Sequence, residues 1–341
     1  MQRDEISSIE PATEMVTETA NGTGVTPQVS APLVDDAIVL TGPTASGKSA
    51  VAIELALQIG GEIVSLDSVA VYRGMDIGSA KPSLDDRQRV PHHMIDVVDP
   101  DEEYSVACYL ESARQTMADI KRRGKHAIFV GGTPMFLKGV LRGFDPGPPA
   151  DWDFRKAVEA DVEIHGVGAL RDRLRQVDPV AAHRIGSNDV RRMIRALEVA
   201  RSTGQPLTHR QSQFDRARSA EECRVFAMQV PRDQLHTRIN ARVDKMFDDG
   251  VVDEVRGLIE RYGTLSRTAA QGVGYRELIT FVTEGGDLEM VKTEIAAHTR
   301  QLARRQETWF RSFSEIRPVP ADDPVEVKAL ASEIAKSCIP N

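Results

Sequence analysis

No stretch of the 341-residue sequence approaches the roughly 18–20 consecutive apolar residues of a membrane-spanning helix. The N-terminus is acidic and polar, and lacks the basic end and apolar core of a secretory signal peptide. Cysteine is scarce. Cys108, Cys223 and Cys338 are odd in number, far apart and without metal-ligand spacing. That excludes a disulfide framework and a zinc motif, and points to reduced thiols in a cytoplasm. No internal repeat is present. A basic excess is missing too: the net charge is −8, which at first sight argues against a nucleic-acid partner. The distribution of charge argues the other way. Residues 1–36 carry seven acids against Arg3 alone, so the rest of the chain is nearly neutral and has room for strong local basic faces.

What is present begins with Gly42-Pro43-Thr44-Ala45-Ser46-Gly47-Lys48-Ser49, a G-x-x-x-x-G-K-S phosphate-binding loop. It follows the apolar run Ala37–Thr41 and opens the helical pattern Ser49–Ala56, the strand–loop–helix order the motif needs. Successive loop amides and a helix N-terminus then point at an anion. Lys48 adds positive charge, and Ser49 can place its hydroxyl on Mg²⁺. Such a loop serves kinases, ATPases and enzymes that handle a diphosphate.

Residues 1–36, rich in Thr, Glu, Gly and Pro without a sustained period, read as a disordered acidic tail. From Ala37 strands and helices alternate: a strand at Glu62–Leu66, a third at His93–Val98, a helix over Ser105–Arg123 and a fourth strand at His126–Val130. That alternation predicts an α/β fold with a parallel sheet covered on both faces. The glycine loop, Asp67-Ser68 and Gly131-Gly132-Thr133 all fall just beyond carboxyl ends of strands, around one crevice. Asp145-Pro146-Gly147-Pro148-Pro149 breaks the pattern. Residues 150–222 are helical in texture, at Arg155–Glu163, Gly168–Gln176 and Val190–Arg201. A strand-like run over Arg224–Val230 returns to the earlier style. The chain therefore divides into a core of residues 37–149 and 223–318, an all-helical insertion of 150–222, and a C-terminal tail of 319–341.

Two segments carry arginine on one helix face. In Arg191–Ala200, Arg191, Arg192 and Arg195 fall within about 100° of one another. In Arg300–Arg311, residues Arg300, Arg304 and Arg311 align within about 40°. Arginine makes bidentate contacts to phosphate, as nucleic-acid backbones require, although solvated faces paired with surface carboxylates have the same pattern. Asp67, ending the strand EIVSLD, reads equally as a proton-accepting base or as a Mg²⁺-holding acid. His92 and His93 face opposite sides of a strand and have no third ligand, so they read as structural.

Taken together, GPTASGKS (42–49), DSVAVYRGMDIGSAKP (67–82), PHHMID (91–96), GGT (131–133), RRMIRALEV (191–199), GVGYRE (272–277) and TRQLARRQETWFR (299–311) resemble the tRNA dimethylallyltransferase family. The similarity runs over about residues 37–316 in the family's order. It implies a P-loop kinase-like core with an inserted helical domain that closes on the anticodon stem-loop. It also implies transfer of a dimethylallyl group from dimethylallyl diphosphate to N6 of adenosine 37, with Mg²⁺. A monomer is the simplest expectation for an enzyme that closes around RNA. On this resemblance Gly42, Pro43, Thr44, Ala45, Ser46, Gly47, Lys48 and Ser49 bind the diphosphate, with Ser49 toward Mg²⁺. Asp67 is the base, Thr133 hydrogen-bonds substrate at the channel edge, and Arg155 faces the diphosphate. Asp67, Ser68, Val69 and Ala70, then Arg191, Arg192, Met193, Ile194 and Arg195, contact tRNA. So do Gln271, Gly272, Val273, Gly274, Tyr275 and Arg276, and Arg304, Arg305, Trp309 and Arg311. A stacked base cannot be modified in place, so base flipping into a channel is expected.

Pro134 and Phe136 depart from the residues common after GGT, and Gln271 precedes GVGYRE where relatives vary. Three other activities use parts of this pattern: prenylation of a free adenine nucleotide, small-molecule phosphorylation, and RNA binding by a vestigial loop. The insertion and the Arg-rich helix disfavour the first. The intact Lys48, Ser49 and Asp67 disfavour the last.

Overall fold

The structure, a computed structural model, describes residues 29–211, 217–322 and 324–338. Six strands form one sheet: β1 (Ala37–Thr41), β2 (Gly61–Ser65), β3 (His92–His93), β4 (His126–Gly131), β5 (Val225–Gln229) and β6 (Arg317–Pro320), in the order β3-β2-β4-β1-β5-β6. Every pairing is parallel. The five residues of β1 are all buried, which is why the strand reads as a continuous apolar run rather than an alternating one. Register brings Thr41 opposite Gly131 and Ser65 opposite Val130. The loops after β1, β2 and β4 therefore leave the sheet along one edge.

Helices cover both faces. On one, α1 (Lys48–Ile59) packs with α14 (Val327–Cys338) over Ile38, Leu40, Ile128 and Phe226. On the other lie α3 (Val106–Arg122), α4 (Pro134–Arg142), α10 (Val251–Tyr262) and α12 (Tyr275–Glu284), over Val39, Val64 and Phe129. Two helices, α9 (Arg232–Asp248) and α13 (Leu288–Phe310), contribute to both cores: Leu235 and Ala303 to the first, Val243 and Phe310 to the second. They bridge the edge where the loops emerge. Short helices α2 (Leu84–Arg89) and α11 (Arg267–Ala270) complete this part. No described helix is long and apolar enough to cross a membrane.

Between β4 and β5 the chain forms α5 (Trp152–Val177), broken at Gly166 where φ is 79°, then α6 (Pro179–Arg184), α7 (Val190–Thr203) and α8 (Leu207–Arg210). These have a core of their own around Phe154, Leu170, Leu174, Met193 and Leu197. Asp151, Asp178 and Asp189 cap α5, α6 and α7 by accepting amide hydrogens of the first turn.

Three sequence expectations change. Residues 93–98 are not a strand beyond His93, because Met94 and Asp96 adopt φ of 61° and 56°, which breaks the extended chain. The acidic segment 1–36 lies partly outside the described residues, but its end is packed: Ser30 pairs with Phe144, and Leu33 and Val34 are buried. Residues 319–341 are not simply a tail. Despite Pro318 and Pro320, Arg317–Pro320 forms β6, which pairs with β5 at the sheet edge, where proline is tolerated. Leu330, Ala331, Ile334 and Cys338 then give α14 an apolar stripe that is buried against α1.

Candidate active site

The loop between β1 and α1 is closed by local geometry. Ala45 and Gly47 adopt φ of 63° and 87°, and Lys48 Nζ donates to the Pro43 carbonyl at 3.2 Å, curling the chain over the start of α1. Ser46 Oγ is buried and has no hydrogen-bond partner among the described residues. Beside the loop, Gly131 and Gly132 permit close approach. A Cβ on Gly131 would overlap the Leu66 carbonyl, and one on Gly132 would overlap the Gln306 side chain.

A cavity of 360 Å³ opens above this edge. Thr44, Lys48 and Ser49 line it from the glycine loop, Asp67–Ala70 from the loop after β2, and Gly131–Thr133 from the loop after β4. Arg242 of α9, Gln271–Gly274 and Arg305 complete it. Asp67 Oδ1 accepts the amides of Val69 and Ala70 at 2.8 and 3.2 Å, which fixes the carboxylate. Among the described residues its second oxygen takes no hydrogen bond. Thr133 is the residue before α4, but its hydroxyl does not cap that helix. It accepts the Ser68 amide at 3.0 Å instead and so braces the turn that holds Asp67.

Electrostatically the cavity is built for an anion. Burial, aided by the charge of Arg242, pulls the Lys48 ammonium down to about 8 despite Asp67 nearby. Burial likewise holds the Arg242 guanidinium below its ordinary value, with Asp67 opposing. Two desolvated cations that disfavour each other gain most from a multiply charged anion placed between them. The oxygens of Ser49 and Asp67 that line the same space suit a hard divalent cation, so the residues present fit Mg²⁺.

A second cavity, of 540 Å³, shares Ser68, Val69, Thr133, Gln271 and Gly272 with the first and extends toward Tyr104, Met135, Phe136 and Pro146. The two spaces meet beside Asp67. Phe136 stacks on Tyr109, with ring centroids 4.0 Å apart, so the departure noted after GGT is a wall residue of this second space.

Several expected site residues lie elsewhere. Arg155 does not line either cavity: both its Nε and Nη2 donate to Glu198, at 2.8 Å each. Arg195 also pairs with Glu198, and its Nη2 donates to the carbonyls of Pro146 and Pro148. Glu198 is fully buried, so both arginines are spent on compensating it. Met193 and Ile194 are buried in the insertion's core, turned away from any partner outside. Tyr275 is also buried, donating to Glu254 at 2.7 Å. Trp309 packs half-buried against Phe313. Arg191, Arg192, Arg304, Arg305 and Arg311 are exposed, and Arg276 is exposed but paired with Glu277 at 2.6 Å.

Three contributors were missed. Arg242 lies seven residues after Leu235 and three after Ile239, both buried, so a cation in the apolar stripe of α9 was the available signal. Gln306 is buried in α13 and bridges two loops. Glu254 accepts the amides of Asp76, Ile77 and Gly78 and thereby ties that segment to Tyr275. Neither of these two had a readable sequence signal, because polar residues on amphipathic helices usually face water.

Comparison with known proteins decides the family. The IPP transferase family model matches residues 70–313, and an isopentenyl transferase model matches 36–96. The chain belongs to the tRNA dimethylallyltransferase family. It is 58% identical over 298 residues to a tRNA dimethylallyltransferase of Rhodopirellula baltica, covering 85% of this chain and 89% of that one. The corresponding protein of Geobacter metallireducens is 44% identical over 279 residues, covering 82% and 90%. Among solved structures, the full-length tRNA isopentenylpyrophosphate transferase of Bacillus halodurans matches with a TM-score of 0.64 and 35% identity, over 89% of this chain and 96% of that one. A eukaryotic dimethylallyltransferase, described as acting on tRNA, matches with a TM-score of 0.71 and 27% identity, over 88% and 77%. The fold common to these relatives is the P-loop kinase-like α/β core described above.

Proposed function

We propose that this chain transfers a dimethylallyl group from dimethylallyl diphosphate to N6 of adenosine 37 in tRNA, releasing diphosphate. Family membership supports prenyl transfer to tRNA. The observation that carries the finer reading is that two cavities share Ser68, the residue after Asp67: one is lined by Lys48, Asp67 and Arg242, and the other extends to Pro146, just before the helical insertion.

In this reading the diphosphate sits against Lys48, Arg242 and the loop amides. These groups stabilise the charge that grows on the leaving oxygen as the carbon–oxygen bond breaks. Mg²⁺, held through Ser49 and the diphosphate, would add further charge stabilisation there. Adenine N6 is a weak nucleophile, because its lone pair is delocalised into the ring. The uncommitted oxygen of Asp67 accepts the N6 proton as the new carbon–nitrogen bond forms. Thr133 keeps the Asp67–Ser68 turn in place. The target base enters from the second cavity after leaving its stack, and the helical insertion closes on the anticodon stem-loop. The enzyme acts as a cytoplasmic monomer.

The test mixes the purified chain, Mg²⁺ and labelled dimethylallyl diphosphate with three acceptors: tRNA with adenosine at position 37, tRNA with guanosine there, and AMP. Label in the adenosine tRNA alone is the expected result. Label in AMP would assign the site to a free nucleotide instead. In a parallel reaction supplied with ATP, hydrolysis of ATP without transfer would make it a kinase-type site.

A further inference from the structure

Trp152, the first residue of α5, is 51% exposed although it is the residue type most costly to leave in water. Two guanidiniums lie over its ring, Arg155 at 4.8 Å and Arg267 at 5.2 Å from the centroid. Their situations differ. Arg155 is neutralised by the buried Glu198. Arg267, on α11 of the core, makes no ion pair through its guanidinium among the described residues; its backbone amide donates to Glu103.

The cluster thus combines an exposed indole with one cation, Arg267, whose guanidinium makes no ion pair among the described residues. It is also well placed. Trp152 belongs to the insertion and Arg267 to the core, and the residue after Arg267, Thr268, lines the second cavity together with Pro146. A nucleic-acid loop entering that cavity passes this rim. Unpaired bases stack on aromatic rings, and arginines take the flanking phosphates.

We propose that Trp152 and Arg267 form a contact for a nucleotide neighbouring the modified base, with Trp152 stacking the base and the Arg267 guanidinium holding its phosphate. This rests on the tRNA reading above. The competing role is a latch: Trp152 and Arg267 could hold insertion and core together with no RNA involved.

The experiment titrates an unmodified anticodon stem-loop RNA into the full chain and follows tryptophan emission. The chain has two tryptophans, so comparison with Trp152→Phe isolates the Trp152 signal. Expected are a quench in the native protein that Trp152→Phe lacks, and affinity about tenfold weaker in Trp152→Ala but largely kept in Trp152→Phe. Arg267→Ala should lower the slope of log affinity against log salt by about one. RNA binding without a Trp152-dependent quench, and with the salt slope unchanged in Arg267→Ala, would overturn this contact while leaving the tRNA reading intact. A fall in thermal midpoint in Trp152→Ala, with no quench in the native protein, would assign the pair to the latch and overturn the proposal. If the native chain neither binds the RNA nor modifies it, the tRNA reading and the contact fall together.

Discussion

The side chain of Gln306 joins Thr44 of the phosphate loop to the loop after β4: its Oε1 accepts the Thr44 amide at 2.9 Å, and its Nε2 donates to the Gly132 carbonyl at 2.8 Å. One buried residue on α13 therefore sets the spacing between the anion cradle and the turn that carries Thr133. Gln306→Ala leaves both backbone groups without this partner. We expect the KM for dimethylallyl diphosphate to rise about five- to tenfold, the cost of roughly one hydrogen bond, with a smaller effect on turnover. Gln306→Glu keeps an acceptor for Thr44 but loses the donor and adds negative charge beside the diphosphate, so it should bind the donor more weakly still. Steady-state kinetics on the two variants check the order. Equal KM in Gln306→Ala and the native chain would remove Gln306 from the positioning role.

Lys48 gives a pH signature. With its ammonium at about 8 in the free protein, binding of diphosphate without metal should be flat below that pH. Above it, affinity should fall about tenfold per unit as the lysine must first take up a proton. Lys48→Arg keeps the charge throughout and should abolish the break, which separates lysine from the titration of diphosphate itself. The effect on folding has the opposite sign. Between about 8 and the ordinary lysine value of 10.5 the folded chain binds fewer protons than the unfolded one, so this group makes stability rise with pH. Calorimetric titration across this range reads both.

Asp67 is held by two amides but keeps one oxygen free toward the cavity. Asp67→Asn preserves most of that geometry and removes the base. Turnover should fall by at least about 10², with tRNA affinity nearly unchanged. A parallel loss of affinity would make Asp67 a binding or structural group.

Arg195 is expected to matter for folding rather than for RNA. Burial alone would raise the Glu198 carboxyl, but hydrogen bonds from Arg155 and Arg195 and the Asp151 amide outweigh it and hold the group below its ordinary value. Its contribution to stability is therefore present above the carboxylate range and lost as pH falls through it. Arg195→Ala should cost about 1–3 kcal/mol and move that loss to higher pH. Thermal melts at pH 7 and pH 5 measure both. A variant that melts like the native chain yet binds tRNA weakly would return Arg195 to the RNA face.

Much of this was readable in the chain, for identifiable reasons. Ala37–Thr41 and His126–Val130 are central strands buried on both faces, so composition alone marks them, and the glycine loop follows from its spacing. Asp67 and Thr133 were legible because strand ends of a parallel sheet converge on one edge. The arginine faces were less so. Helical periodicity places Arg191, Arg192 and Arg195 together, but it cannot reveal that Glu198 lies buried between Arg155 and Arg195. Arg242 and Gln306 come from segments more than 190 residues from the loop they serve, as the contacts to Thr44 show, and no local pattern encodes that distance. The C-terminal helix was hidden for a similar reason: its stripe has meaning only against α1.

That last packing gives a further expectation. Ending the chain after Asp322 removes α14 and uncovers the face of α1 around Leu55 and Ala56. Loss of several buried apolar side chains, at about 1.5–3 kcal/mol each, should leave the truncated chain aggregated or unfolded at 37 °C. A soluble product with a native melting curve would show α14 to be dispensable.

The most direct measurement digests tRNA to nucleosides after reaction with dimethylallyl diphosphate and locates the added group by mass spectrometry, for the native chain and Asp67→Asn. Transfer with Asp67 as the base predicts N6-dimethylallyladenosine at position 37 in the native reaction and almost none in the variant. Prenylation at another atom or position, or equal product from Asp67→Asn, would contradict it.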